Sequence, residues 1–180
     1  MTESNNKPTA NETGNGIKTL LVVRHAKSSW DIASINDFER PLNDRGKKDA
    51  PVMAKRLTDK DIVIEAFVSS PAKRAKKTAE LFCGVYGRAE EEIIFVSKLY
   101  HAPVEVFYEV VEELDEAFSK VAIFSHNPGI TEFVNTLVEG VKIDNLPTCA
   151  IFAIQAHADK WKDFKKSKKE FLFFDYPKLA

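Results

Sequence analysis

The stretch TLLVVRHAKSSW, residues 19–30, decides the fold. Leu20 to Val23 form an uninterrupted apolar run, the pattern of a strand buried on both faces. The run ends abruptly in a guanidinium and an imidazole, Arg24 and His25. A buried strand that stops in two such groups presents them at its carboxyl end, where parallel α/β sheets bind ligands. Two other places repeat the design. Phe67 and Val68 lead into SSPAKRA, which sets Arg74 in the first turn of a helix. Val121 to Phe124 lead into SHNPG, which sets His126 at a strand-to-helix junction.

Between these runs the periodicity alternates. Strands are expected at Lys18–Val23, Ala66–Ser69, Ile93–Val96 and Val121–Phe124. Cys149–Gln155 and Glu170–Phe174 read as closing strands, as in a hairpin. Helices are expected over Asn43–Leu57, Pro71–Val85, Pro103–Phe118 and Pro128–Val138, each with one apolar stripe. Ser70 is placed to cap the second helix and Pro71 suits its first turn. Pro51 should kink or restart the first, because proline removes a helix donor. Strands alternating with helices imply right-handed βαβ units. The fold class is α/β: a three-layer α/β/α sandwich with a mainly parallel central sheet.

Composition narrows the partners. The 26 basic and 27 acidic residues nearly cancel, so no overall field favours nucleic acid or a membrane surface. No apolar run reaches the ~20 residues of a membrane span. Cys83 and Cys149 lie far apart without a CxxC or Cys/His cluster, which suits buried thiols in a reducing, cytoplasmic setting. Residues 1–16 are too polar to offset the entropy of ordering and are expected to be a disordered tail before a single domain, 17–180. No seam of apolar residues calls for a second copy, so a monomer is expected. Lys160–Lys169 holds six lysines, expected as a solvated hairpin turn, with a docking patch for an acidic partner as the other reading.

Two arginines and two histidines around one point suit a phosphoryl group. Guanidinium forks match its oxygens. A neutral His25 can attack phosphorus and carry the phosphoryl covalently. His126, if protonated, adds a donor toward the developing charge. The set needs no metal or other cofactor.

RHA at 24–26, SSPAKRAKKTAE at 69–80 and SHNPG at 125–129 resemble the histidine phosphatase (phosphoglycerate mutase-like) superfamily. The further run RHAKSSW, FERPLNDRGKKDAP, LYHAP and IDNLPTCA is similar to the small SixA-type phosphohistidine phosphatases. The resemblance spans about Ile17 to Gln155. It implies a histidine phosphatase-like domain with His25 as the phospho-accepting nucleophile and Arg24, Arg74 and His126 completing the phosphate pocket. Larger relatives carry a glutamate that protonates an alcohol leaving group. The matching region here is KLYHAPVEVF, which offers only His101 and Glu105 as acids. An imidazole leaving group needs less help than an alkoxide. The expected substrate is therefore phosphohistidine on a protein, with inorganic phosphate as product. A small phosphoester served by His101 or Glu105, or a non-catalytic phosphate-binding module, are the alternatives. Lys27, Ser28, Arg45 and Asn127 are rim candidates, with Ser29, Arg40 and Thr148 nearby. Asp31 should pair with a base such as Lys27 or Arg45, or face away, because a carboxylate would repel the substrate.

Overall fold

The computed structural model describes residues 16–30 and 33–179. The expected tail and Asp31 thus lie outside the described residues, save Gly16. Six strands form one sheet: β1 (Ile17–Arg24), β2 (Ala66–Ser69), β3 (Ile94–Phe95), β4 (Lys120–Ser125), β5 (Ile151–His157) and β6 (Lys169–Asp175). Their order is β3-β2-β4-β1-β5-β6. The first four are mutually parallel, and β5 and β6 add an antiparallel hairpin at one edge.

Alternation along each strand supplies the two cores. In β1, Leu20 and Val22 face one side while Leu21 and Val23 face the other. Helices α1 (Asp44–Thr58) and α2 (Lys73–Val85) cover the second side with Met53, Leu57, Ala79 and Phe82. Helices α3 (Val104–Glu112) and α4 (Gly129–Leu137) cover the first with Phe107, Val110, Ile130 and Phe133. The result is the three-layer sandwich that the apolar runs imply.

Several boundaries differ from expectation, each for a local reason. Helix α1 runs unbroken through Pro51, since the acceptor that Pro51 deprives is the carbonyl of exposed Lys47, which water can satisfy. Helix α2 starts at Lys73, and Ser70 instead takes the N–H of Ala72 at 3.3 Å. Helix α3 stops at Glu112, because Asp115 bonds the Ala117 N–H at 2.9 Å and draws the chain into a turn. Strand β3 shrinks to two residues, with Ile93 closing one 3₁₀ turn and Val96 opening the next. The lysine-rich connection is not a purely solvated turn: Trp161 and Phe164 within it are buried, and Lys165 pairs with Glu105 at 2.6 Å. It packs near the start of β1, where Lys18 reaches Glu116 and lies over Trp161, at the opposite end of the sheet from Arg24.

Candidate active site

Register brings the three strand ends together. Arg24 is paired with Ser125 across β1 and β4, and Ser69 with Phe124 across β2 and β4. The next residues, His25, Ser70 and His126, therefore leave neighbouring strands on one edge of the sheet. The His25 N–H continues the ladder to Ser125 O at 3.1 Å, and the His25 and His126 rings lie 5.2 Å apart. Arg74 enters from the first turn of α2, its Nε 3.3 Å from His25 Nε2. Arg24, His25, Arg74 and His126 line a cavity of about 280 Å³ together with Lys27, Ser28, Trp30, Asp37, Arg40, His101, Asn127 and Thr148.

The loop that follows β1 and carries His25 is tied down on both sides. Ala26 N–H donates to Thr78 Oγ1 at 2.9 Å, and that hydroxyl donates to Arg74 O at 2.7 Å, so α2 holds the loop and its own arginine at once. The Lys27 carbonyl accepts the Asn43 N–H at 3.0 Å. Gly46, in the first turn of α1, lies so close that a Cβ would fall 2.2 Å from the Lys27 oxygen. On the far side Gly129 plays the same part, where a Cβ would fall 1.8 Å from Ala102 O and push away the segment carrying His101. His101 itself sits in the left-handed region at φ 54°, which costs a non-glycine residue free energy.

The imidazole assignments follow from the hydrogen bonds. His25 Nδ1–H donates to Ala26 O at 2.7 Å, which leaves the lone pair on Nε2, the nitrogen that faces Arg74. Burial pushes its pKa down to about 3. The Ala26 carbonyl opposes this, and the charges of Arg74, Arg24 and Arg40 reinforce it. His25 is therefore neutral at physiological pH, as a nitrogen nucleophile must be. Ser70 Oγ lies 2.8 Å from His126 Nε2; with the Ser70 hydroxyl assigned as donor, the His126 proton sits on Nδ1, which faces no protein acceptor. His126 is held down to about 2 by burial first, then by His25 and Arg74. It is thus neutral here, not the protonated donor considered from sequence, yet it still offers an N–H.

Three buried nitrogens of cavity-lining residues have no partner in the described structure: Arg24 Nε, Arg40 Nε and His126 Nδ1. Such groups cost free energy unless something accepts from them. All three can donate, and an oxyanion with several lone pairs satisfies donors of this kind together.

Asp37 was not foreseen. Its carboxylate accepts from Arg74 Nη2 at 2.9 Å, Tyr100 Oη at 2.8 Å and Arg40 Nη2 at 3.1 Å, while its carbonyl accepts from Arg74 Nη1 at 2.5 Å. Burial alone would raise its pKa; the bonds from Tyr100 and Arg74 and the charges of Arg74 and Arg40 overcome that and hold it near 2. The outer face of the Arg74 fork is thus already committed to Asp37, which fixes the fork in orientation. Arg40 stacks on Trp30, its guanidinium carbon 3.6 Å from the ring centroid.

Two expected residues lie elsewhere. Arg45 points from α1 to Asp49 at 3.2 Å and is not among the cavity's lining residues. Glu105 is drawn to Lys165 by their ion pair and is also absent from the lining, which leaves His101 as the imidazole near the mouth, 3.5 Å from Asp37 Oδ2.

Comparison with known proteins fits this geometry. The model of the histidine phosphatase superfamily (branch 1) matches residues 20–99, the span that holds Arg24, His25 and Arg74. Over that span the chain is similar to the histidine phosphatase superfamily, and the groups that line its site suit a phosphoryl group. An uncharacterized chloroplastic protein of Arabidopsis thaliana is 29% identical over 155 residues, covering 81% of this chain and 70% of that one. The fold is shared with the protein histidine phosphatase SixA complexed with tungstate, with a TM-score of 0.75, 22% identity, and coverage of 88% of this chain and 97% of that one. It is shared too with a phosphoglycerate mutase from Bacillus anthracis, with a TM-score of 0.63, 16% identity, and coverage of 90% and 94%.

Proposed function

We propose that the protein removes phosphoryl groups through a covalent intermediate on His25, without a metal, and that its substrate is phosphohistidine on a protein. The observation that carries this reading is the fixed tautomer of His25. Nδ1–H is held by the Ala26 carbonyl, so the lone pair sits on Nε2 at the cavity wall, where it accepts from Arg74 Nε–H at 3.3 Å until phosphorus takes that place. In the first step Nε2 bonds to phosphorus as the bond from phosphorus to the departing imidazole nitrogen breaks. Arg24, Arg74, Arg40 and the His126 Nδ1–H stabilise the equatorial oxygens. The departing imidazole, protonated on its ring, leaves as a neutral base. In the second step water attacks the phosphoryl on Nε2, loses a proton to solvent, and releases inorganic phosphate with free His25.

Two features favour a protein substrate over a small ester. The cavity is small, and Trp30 at its mouth is 74% exposed, so a partner's surface can reach it. Glu105 is held by Lys165, which removes one of the two candidate acids for an alkyl ester and leaves His101. The protein works as a monomer in a reducing cytoplasm, a setting that suits the buried free thiols of Cys83 and Cys149. The test is turnover of a phosphohistidine peptide beside a panel of sugar and acid phosphoesters. Preference for the peptide is expected. Preference for an alkyl ester would overturn the substrate assignment and point to His101 as acid, and no turnover of either would favour a phosphate-binding module.

A further inference from the structure

A second concavity, of about 550 Å³, lies against the catalytic one. The two share their walls. Arg40 lines the catalytic cavity while its neighbours Glu39 and Pro41 line the groove, and in α2 Arg74 serves the cavity while Lys73 and Lys77 serve the groove. The groove carries four lysines, at 47, 73, 76 and 77, against two glutamates, Glu39 and Glu80. Glu80 is taken up by Lys77 at 2.9 Å and Lys76 at 3.9 Å. Lys47 and Lys73 have no ion-pair partner among the described residues.

This placement works against the helix. The first turn of α2 contains no acidic residue, and Lys73 and Arg74 stand where the macrodipole disfavours cations. Arg74 is compensated by Asp37, but Lys73 has no such partner. Between the lysines Pro41, Leu42 and Pro71 give the groove an apolar floor. Lys76 also lies over the ring of Phe95, 43% exposed on the edge strand β3. Cations above an apolar floor fit carboxylates carried on a chain better than a lone hydrated anion.

We infer that this groove docks an extended acidic segment of the phosphorylated protein whose phosphohistidine enters the neighbouring cavity. The inference rests on the function proposed above. Lys77 stands one helical turn from Arg74, ~5 Å along α2. An extended chain rising ~3.3 Å per residue covers that distance within a few residues. The carboxylates that matter are therefore a few positions from the phosphorylated residue. Exposed pairs are individually weak, so the gain is a selectivity of about three- to tenfold, lost at high salt.

The test compares wild type with the double variant Lys47→Glu/Lys76→Glu on three substrates: phosphoimidazole, a phosphohistidine peptide with flanking Asp and Glu, and the same peptide with Ser and Gln instead. Wild type should prefer the acidic peptide in kcat/KM at low ionic strength. The variant should lose that preference and keep its rate on phosphoimidazole, which also shows that it is folded. A wild type without the preference, or a variant that retains it, overturns the docking site. A small bis-phosphorylated molecule is assayed beside these three, and a Lys47- and Lys76-dependent gain seen only with it also overturns the docking site, since it would make the groove a second-phosphate subsite. If wild type turns over none of the three, the proposed function fails instead. Docking is then read from binding of the unphosphorylated acidic peptide by fluorescence anisotropy, where binding lost in the variant supports it and no binding by wild type refutes it.

Discussion

Replacing Gly46 by alanine should damage catalysis from outside the cavity. The added Cβ would sit 2.2 Å from Lys27 O, 2.9 Å from Lys27 N and 3.0 Å from Lys27 C, all backbone atoms. Ordinary contact begins near 3.4 Å, so the loop or the helix must yield by more than an ångström. Neither is free to do so. Asn43 N–H holds Lys27 O at 3.0 Å, Ser29 N–H holds Pro41 O at 2.9 Å, and the Asn43 side chain holds Gly46 N–H at 2.9 Å. Overpacking of this kind costs about 1–3 kcal/mol of stability. Lys27 is two residues from His25, and a shift of about 1 Å at a reacting group costs on the order of 100-fold in rate. Gly84 is the control, since a Cβ there meets nothing within 4 Å inside α2. Gly84→Ala should be neutral or stabilise by up to ~1 kcal/mol. The assay is kcat/KM on phosphoimidazole alongside urea unfolding of both variants. A Gly46→Ala protein with wild-type kcat/KM and stability would refute the claim that α1 positions the nucleophile loop.

Three further outcomes are expected. Asp37→Asn removes the charge that orients Arg74 while keeping its shape; losing a charged hydrogen bond of ~1.5–3 kcal/mol should lower kcat/KM by about 10- to 100-fold. The loss should largely vanish in an Arg74→Ala background, as a double-mutant cycle would show; full additivity would mean Asp37 acts elsewhere. His25 and His126 have folded pKa values near 3 and 2 against 6.5 for a free imidazole. Below pH 6.5 the unfolded chain binds protons that the folded one refuses, so these two residues should cause stability to fall progressively toward pH 3, visible in urea midpoints. A His25→Gln/His126→Gln variant, if folded, should show a shallower fall, and an equally steep one would contradict the assignment. Turnover should be unchanged by EDTA, and a loss restored by added divalent metal would defeat the metal-independent mechanism.

Much of this was legible in the apolar runs. Leu20–Val23 and Val121–Phe124 are long and continuous enough to announce buried parallel strands, and the groups that follow each run lie at one sheet edge because register demands it. His25, Arg24, Arg74 and His126 could be gathered from that alone. Asp37 could not. Its role depends on a short 3₁₀ turn, Asp37–Glu39, that brings it against Arg74 and Tyr100 from 37 and 63 residues away, and no periodicity encodes such a meeting. Thr78 was hidden for a similar reason: in sequence it is one polar residue on a helix, and only packing shows that its hydroxyl joins Ala26 to Arg74. Arg45 and Glu105 were misplaced because proximity in sequence to a motif says little about which face of a helix a side chain takes. Each found a nearer partner of opposite charge, Asp49 and Lys165.

The central claim is that Nε2 of His25 carries the phosphoryl group. The most direct measurement is a rapid quench of the enzyme during turnover of phosphoimidazole, followed by mass spectrometry under alkaline conditions that preserve phosphoramidates. A single added phosphoryl on the peptide containing His25, at Nε2, formed and lost at rates that match turnover and missing in His25→Ala, is the predicted result. Turnover with no modification of that peptide, or continued turnover by His25→Ala, would contradict it.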